Sequence, residues 1–259
     1  MAQSLKLDTI ANNIANVNTT GFKRDQQTFN EYLTALEKDP QVIQVPRVPA
    51  SIESFYDMNG GDKSFVNAAG TYTNFEQGSL KSTGNKLDVA IDGEGFFEVS
   101  TPQGVQLTRA GNFSINGDGQ LVTKDGSAVL LEGADNQGAD QRVARFSGQG
   151  QPYISDGGEV FDGDRKLGKL SLVKVNNPDS LQKMGGNNFA FKLNAAPNLV
   201  KLEQTQLKQG FLETSNVNIV NEMTDMISAQ RVFEGTQKAI QAYDAMADKL
   251  INKVGSVKG

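Results

Sequence analysis

Both ends of the chain carry an apolar seam at helical period, and this feature constrains the fold more than any other. Near the C-terminus Met226, Ala229, Phe233, Thr236, Ile240, Tyr243, Ala247, Leu250 and Val254 follow one another at steps of three and four, the a/d spacing of a coiled coil. Thr236 and the small Ala229 and Ala247 weaken this seam as a free-standing two-stranded coil. A second row, Met223, Ile227, Val232, Ala239, Met246 and Ile251, widens the stripe beyond what two partners need, which points to burial among several helices. At the N-terminus Leu7, Ile10, Ile14 and Val17 repeat the pattern, thickened by Ala11 and Ala15. Thr19, Thr20 and Gly21 then end that helix, with glycine where a left-handed cap is usual. A helix of about four turns is marginal in water without a partner. Two seam-bearing ends can pair with each other and then with those of neighbouring copies, an arrangement suited to a polymer.

Composition removes most catalytic alternatives. The chain has no His and no Cys. Without His there is no Ser-His-Asp triad, no HExxH zinc site and no facial-triad iron centre. Without Cys there are no disulfides, no thiolate nucleophile and no cysteine metal site. Paired-carboxylate hydrolysis survives this test, but Asp92, Asp118, Asp125, Asp156 and Asp162 each precede a glycine, the signature of tight hairpin turns. Asn116–Leu121 lacks the alternating ligands and terminal Glu of a calcium loop. Gly93-Glu94-Gly95 lacks the third glycine of a dinucleotide fingerprint, and Gly60–Ser64 lacks P-loop spacing. No catalytic residue, cofactor site or metal site is expected. A formal net charge of −5 argues against nucleic acid as a partner. No run of about 18 apolar residues suggests membrane insertion, and the first residues lack the layout of a cleaved secretory signal.

Between the ends the period changes. Residues 39–72 are poorly patterned, with Pro40, Pro46, Pro49 and Gly60-Gly61, and read as an extended excursion or β-hairpin. From Tyr72 onward short alternating or apolar runs recur at about 8–12 residue spacing with turn signals between them, as in a sandwich or open barrel. They are 71–75, 87–92, 95–100, 105–110, 113–116, 121–123, 129–131, 143–146, 152–154, 158–161, 167–174 and 189–193. Ser215, Asn216 or Asn218 can cap the last helix. The expected fold class is α+β, with paired N- and C-terminal coiled-coil helices and a central, mostly antiparallel β domain. The expected organisation is an N-terminal helical segment at 1–35, the excursion at 36–71, the β domain at 72–200, and a linker with the long C-terminal helix at 201–259.

Four segments in order carry a resemblance. The run Asn12–Lys23, with Asn12, Asn13, Asn16, Asn18, Thr20, Gly21 and Phe22, resembles the N-terminal signature of bacterial flagellar axial proteins, the rod and hook family. Leu87–Phe97 resembles that family's first central strand and turn, and Thr108–Phe113 with Asp118–Val122 its next hairpins. Gly210–Asn218, including Asn216 and Asn218, and Met226–Arg231 resemble its C-terminal block.

The resemblance implies a structural, non-enzymatic subunit of the flagellar basal-body rod. Its terminal helices would form the inner layer of a hollow drive shaft that transmits torque and passes exported subunits. It implies copies of the chain, other rod proteins and the type III export apparatus as partners, and a periplasmic rod reached without a cleaved signal. It also implies about ten further residues ahead of the Asn-rich motif, so that the first helix reads as about three turns short. The length resembles a rod protein rather than a hook protein with its extra outer domain. The stretches Ala2–Asp8, Gly168–Lys174 and Ser228–Glu234 look more like the proximal than the distal rod subunit. Distal rod or hook-type subunits of the same family, and a soluble β-domain binding protein with helical ends, stay open as alternatives. Four Asn within residues 12–18 suit amide hydrogen bonds to other helices or to a wet channel, since asparagine is only a modest helix former.

Overall fold

The computed structural model describes residues 2–34, 63–133, 138–148, 150–193, 198–201 and 206–255. Helix α1 spans Ala2–Ala15. It is followed by β1 Asp25–Thr34, β2 Lys63–Thr73, β3 Leu80–Ser82, β4 Val89–Asp92, β5 Phe96–Thr101, β6 Gly104–Thr108, β7 Ser114–Ile115, β8 Leu121–Val122 and β9 Ala128–Val129. Next come β10 Pro152–Ile154, β11 Glu159–Asp162, β12 Arg165–Lys169, β13 Leu172–Val175, β14 Leu181–Gly185, β15 Asn188–Phe191, β16 Leu199–Lys201, β17 Gln206–Gln209 and β18 Phe211–Glu213, before helix α2, Ile219–Gly255. The chain is therefore α+β, and the strand pairs among the described residues are antiparallel.

Strand β5 organises the β domain because its first four residues are all buried. Successive side chains of a strand point to opposite faces, so a strand buried throughout must be covered on both. Phe97 and Val99 join one apolar cluster with Val89, Ile91, Phe113, Leu121, Ile154, Val160 and Leu207. Phe96 faces the other way, into a cluster with Leu107, Val173, Leu181 and Phe189. There Phe75, Phe96 and Phe189 meet edge to face at 5.2–5.8 Å, a favoured aromatic geometry. The main sheet runs β14-β15-β6-β5-β9-β8-β7, with β13 also beside β5 and β16 beyond it. A three-stranded sheet, β10-β11-β12, adds Ile154 and Val160 to the first cluster.

The structure redraws several sequence-based segments. The run 167–174 is two strands, because the chain leaves the three-stranded sheet at Lys169 and enters the main sheet at Leu172. Residues 143–146 form isolated bridges at Val143 and Arg145 instead of a strand. Residues 206–213, read as linker, form β17 and β18, because β4 and β3 offer them free edges. Among the described residues of the segment read as N-terminal helix, 2–15 is helical. Residues 25–34 are a strand paired with 63–73, a tertiary pairing that overrides local preference. Most of the 36–71 excursion lies outside the described residues.

Phe97 is fully buried and meets Phe113 edge to face at 5.1 Å. Phe97→Ala is expected to destabilise the β domain by about 3–5 kcal/mol, measured by chemical denaturation followed by far-UV circular dichroism.

Candidate functional site

Helix α1 ends at Ala15, and the next nine residues turn the chain into β1. That turn is where the helices and the β domain are joined, through side chains that are polar yet buried. Asn13, 1% exposed, treats the backbone of Asp25 as a strand would. Its Oδ1 accepts from the Asp25 N–H at 3.0 Å, and its Nδ2 donates to the Asp25 carbonyl at 2.8 Å. The same Nδ2 lies 3.3 Å from Glu222 Oε2 on α2. Glu222 is fully buried and also accepts from Arg24 Nε. Arg24 N–H donates to Asn216 Oδ1 at 2.7 Å, while Asn216 Nδ2 donates to the carbonyls of Asn74 and Glu76 at 2.9 and 3.1 Å.

A second cluster lies behind the first. Glu213, at the end of β18 and 1% exposed, accepts from Lys23 Nζ at 2.6 Å, Arg109 Nη1 at 3.1 Å and the Gly78 N–H at 2.9 Å. Lys23 also donates to the Glu76 carbonyl at 2.6 Å. Two cations share one carboxylate here. Burial holds the Lys23 ammonium and the Arg109 guanidinium below their ordinary pKa values, and Glu213 opposes that trend for both. Arg109 also lies over the Phe96 ring at 5.3 Å. Buried charges are tolerated when paired and hydrogen-bonded, and removing one partner exposes the full desolvation cost.

Gly21 fixes how closely these pieces approach. Its φ is +68°, and a Cβ there would lie 2.5 Å from the Ala110 nitrogen and 2.6 Å from the Arg109 carbonyl carbon. Its N–H donates to the Glu213 carbonyl at 2.8 Å. The glycine expected as a helix cap lies six residues past the end of α1 and does not cap it; instead it lets the turn lie directly on the backbone after β6.

Of the residues singled out near the N-terminus, Ile10 is buried, Leu7 and Ile14 are half-buried and Asn12 is exposed on α1, while Val17, half-buried, and Asn18, exposed, lie past its end and so do not extend its seam. Asn16 folds back on the Asn12 carbonyl at 2.9 Å. The Thr20 carbonyl accepts from Asn187 at 2.9 Å, and Gly21 and Phe22 are buried. On α2, Ala229 is buried and Met226 and Phe233 are half-buried. Asn218 is the cap: its Oδ1 accepts from the N–H groups of Val220 and Asn221 at 3.0 and 3.3 Å. Beyond Phe233 residues 234–249 are exposed throughout, including Ile240, Tyr243 and Ala247, with Tyr243 at 72%. The side chains of Leu250 and Val254 lie outside what the structure describes.

The charged members of the joint, Lys23, Arg24, Arg109, Glu213 and Glu222, were not expected from apolar spacing. One signal was present for Glu222: the seam of 226, 229 and 233 continued backward by four residues lands on it. Among the described residues no group of three or more acidic, His or Cys side chains is placed to hold a metal ion.

Comparison with known proteins matches three stretches. Residues 1–23 match the model described as "Flagella basal body rod protein", and residues 90–160 that of the "Flagellar hook protein FlgE/F/G D1 domain". Residues 208–253 match that of the "Flagellar basal body rod FlgEFG protein C-terminal". The chain is 36% identical to the flagellar basal-body rod protein FlgG of Bacillus subtilis, over 95% of this chain and 92% of that protein. It is 35% identical to FlgG of Agrobacterium fabrum, with the same coverage, and 33% identical to the rod protein FlgF of Caulobacter vibrioides over 97% and 93%.

The shared carboxylate makes an asymmetric prediction. Glu213→Gln strands two buried cations and is expected to cost about 3–5 kcal/mol. Lys23→Met leaves a matched Arg109–Glu213 pair and is expected to cost about 1–2 kcal/mol. Urea denaturation of both variants checks the order, and equal losses contradict it.

Proposed function

This chain belongs to the flagellar basal-body rod protein family, and we propose that it builds the rod by polymerising through the uncovered half of α2. It is a structural subunit of the bacterial flagellar basal body. In the proposal α1 and the first third of α2 are held to the β domain by the buried joint, while the rest of α2 awaits neighbouring helices.

The observation that carries this reading is the exposure of a seam on a helix anchored at one end. At 37 residues α2 is about 55 Å long. Ile240, Tyr243 and Met246 are 55%, 72% and 51% exposed. Val220, Met223, Ile227 and Val232 form a second exposed row nearer the base. Burying such side chains is worth about 1.5–3 kcal/mol each, so copies that bring these rows together gain enough to order the helix. Other rod proteins of the same kind are natural neighbours, and the β domains lie outside the helical layer. Among the described residues no helix is long and apolar enough to cross a membrane. Passage through the type III export apparatus to a periplasmic rod, without a cleaved signal, completes the proposal. So do torque transmission and a central channel. A proximal position is favoured by Ala2–Asp8, Gly168–Lys174 and Ser228–Glu234; relatives named FlgG and FlgF match at similar identity and add no preference.

Ile240→Asp places a charge where the proposal buries a seam, a substitution that burial cannot accommodate. It is expected to abolish incorporation into rods, scored by electron microscopy of isolated basal bodies, while the β domain unfolds as in the parent chain. Rods of normal length containing the variant contradict the seam assignment.

A further inference from the structure

The hairpin β14–β15 reaches the turn after α1 through contacts separate from the Glu213 and Glu222 pairs of the joint. Its tip is a two-residue turn, Gly186-Asn187, with φ of +58° and +61°, the primed geometry that suits a twisted hairpin. Asn187 is the only non-glycine residue with positive φ among the described residues, and asparagine tolerates that region best after glycine. Its Nδ2 donates to the Thr20 carbonyl at 2.9 Å, and its own carbonyl accepts from the Thr108 hydroxyl at 3.1 Å. On β14, Lys183 Nζ donates to the Lys23 carbonyl at 2.5 Å and to Asp25 Oδ2 at 2.7 Å, and lies 4.0 Å over the Phe22 ring. Burial holds its pKa below the ordinary lysine value, against the pull of Asp25.

We propose that the β14–β15 hairpin is a strut, with Lys183 and Asn187 as its positioning residues, that sets the angle at which α1 leaves the β domain. Asn13 ties α1 to Asp25 and Glu222, and Gly21 rests against the backbone of residues 109–110. Lys23 and Arg24 also fasten the turn to Glu213, Asn216 and Glu222, and α1 packs against the base of α2. The hairpin touches the same turn at Thr20, Phe22, Lys23 and Asp25 and adds a separate support from the β domain. Beside it runs an open groove of about 540 Å³, lined by Asp8, Asn12, Asn16 and Lys183 among others. That space is available for α1 to move into once the pins are cut. Lys183 suits the task because one ammonium engages a carbonyl, a carboxylate and an aromatic face together. The hairpin falls between the stretches matched by the family models, 90–160 and 208–253. It deepens the rod reading, in which every copy must present its helices at one angle, but is tested on the free chain.

The chain has no Cys, so spin labels can be placed freely at exposed sites. A pair at Ala11→Cys on α1 and Gln103→Cys in the β5–β6 turn reads the angle; a pair at Gln103→Cys and Asp164→Cys reads the β domain alone. In the full chain the combined K183M and N187G changes are expected to broaden the first distance distribution about twofold and leave the second unchanged. Asn187→Gly keeps the left-handed turn, so backbone strain does not confound the result. Lys183→Arg, which retains the charge, is expected to stay closer to the parent. An unchanged first distribution beside an intact second overturns the strut. If both distributions broaden, the two substitutions loosen the β domain as a whole and the strut is likewise overturned. Loss of rod assembly in Ile240→Asp bears on the polymer reading alone and leaves this result untouched.

Discussion

The carboxylate of Glu213 is the point on which the structure turns. It closes β18, stands six residues ahead of α2, and binds Lys23 from the α1–β1 turn, Arg109 from the end of β6 and the N–H of Gly78 before β3. Segments far apart in sequence are thereby held by one acceptor that has no access to water. Such a group costs a great deal to leave unpaired, so the pieces are held together as a set. Helix α1, too short to be stable alone, acquires a fixed place because its exit is part of this set. Glu222 and Asn13 then carry the constraint to the base of α2.

What the joint does not reach is equally informative. From Glu234 to Lys249 every side chain of α2 is exposed. A helix that carries Ile240, Tyr243 and Met246 into water is supported at its base and unsupported along the rest. Ordering at the base lowers the entropy cost of ordering the remainder when neighbours arrive, the logic of coupled folding and binding. A rigid joint and an unfinished helix are two halves of one design for a subunit that meets its partners late.

Much of this was legible in the sequence, for identifiable reasons. Helical period marks both terminal helices, because apolar residues at steps of three and four need no knowledge of the partner. Short apolar runs mark β4 and β5, because both faces of β5 are covered by Phe, Val and Leu. The resemblance in Asn12–Lys23 and Gly210–Asn218 led to the family. The charged part of the joint was not legible, since such residues would ordinarily be assigned to a solvated surface, and their partners are up to 209 residues away. Strand β14 was hidden because Gln182 and Lys183 look like loop, and only its pairing with β15, from Leu181 opposite Phe191 to Gly185 opposite Asn188, makes it a strand. Strands β17 and β18 were hidden because their partners, β4 and β3, lie over a hundred residues upstream. Non-local pairing of this kind leaves no periodic trace.

The central claim is that α2 is ordered by the joint at its base and by neighbouring copies along the rest. Amide hydrogen exchange, on the free chain and on isolated rods, tests it most directly. The account predicts that residues 222–233 are protected in both states, while 234–255 exchange rapidly in the free chain and become protected in the rod. Strong protection of 234–255 in the free chain, or none in the rod, would contradict it.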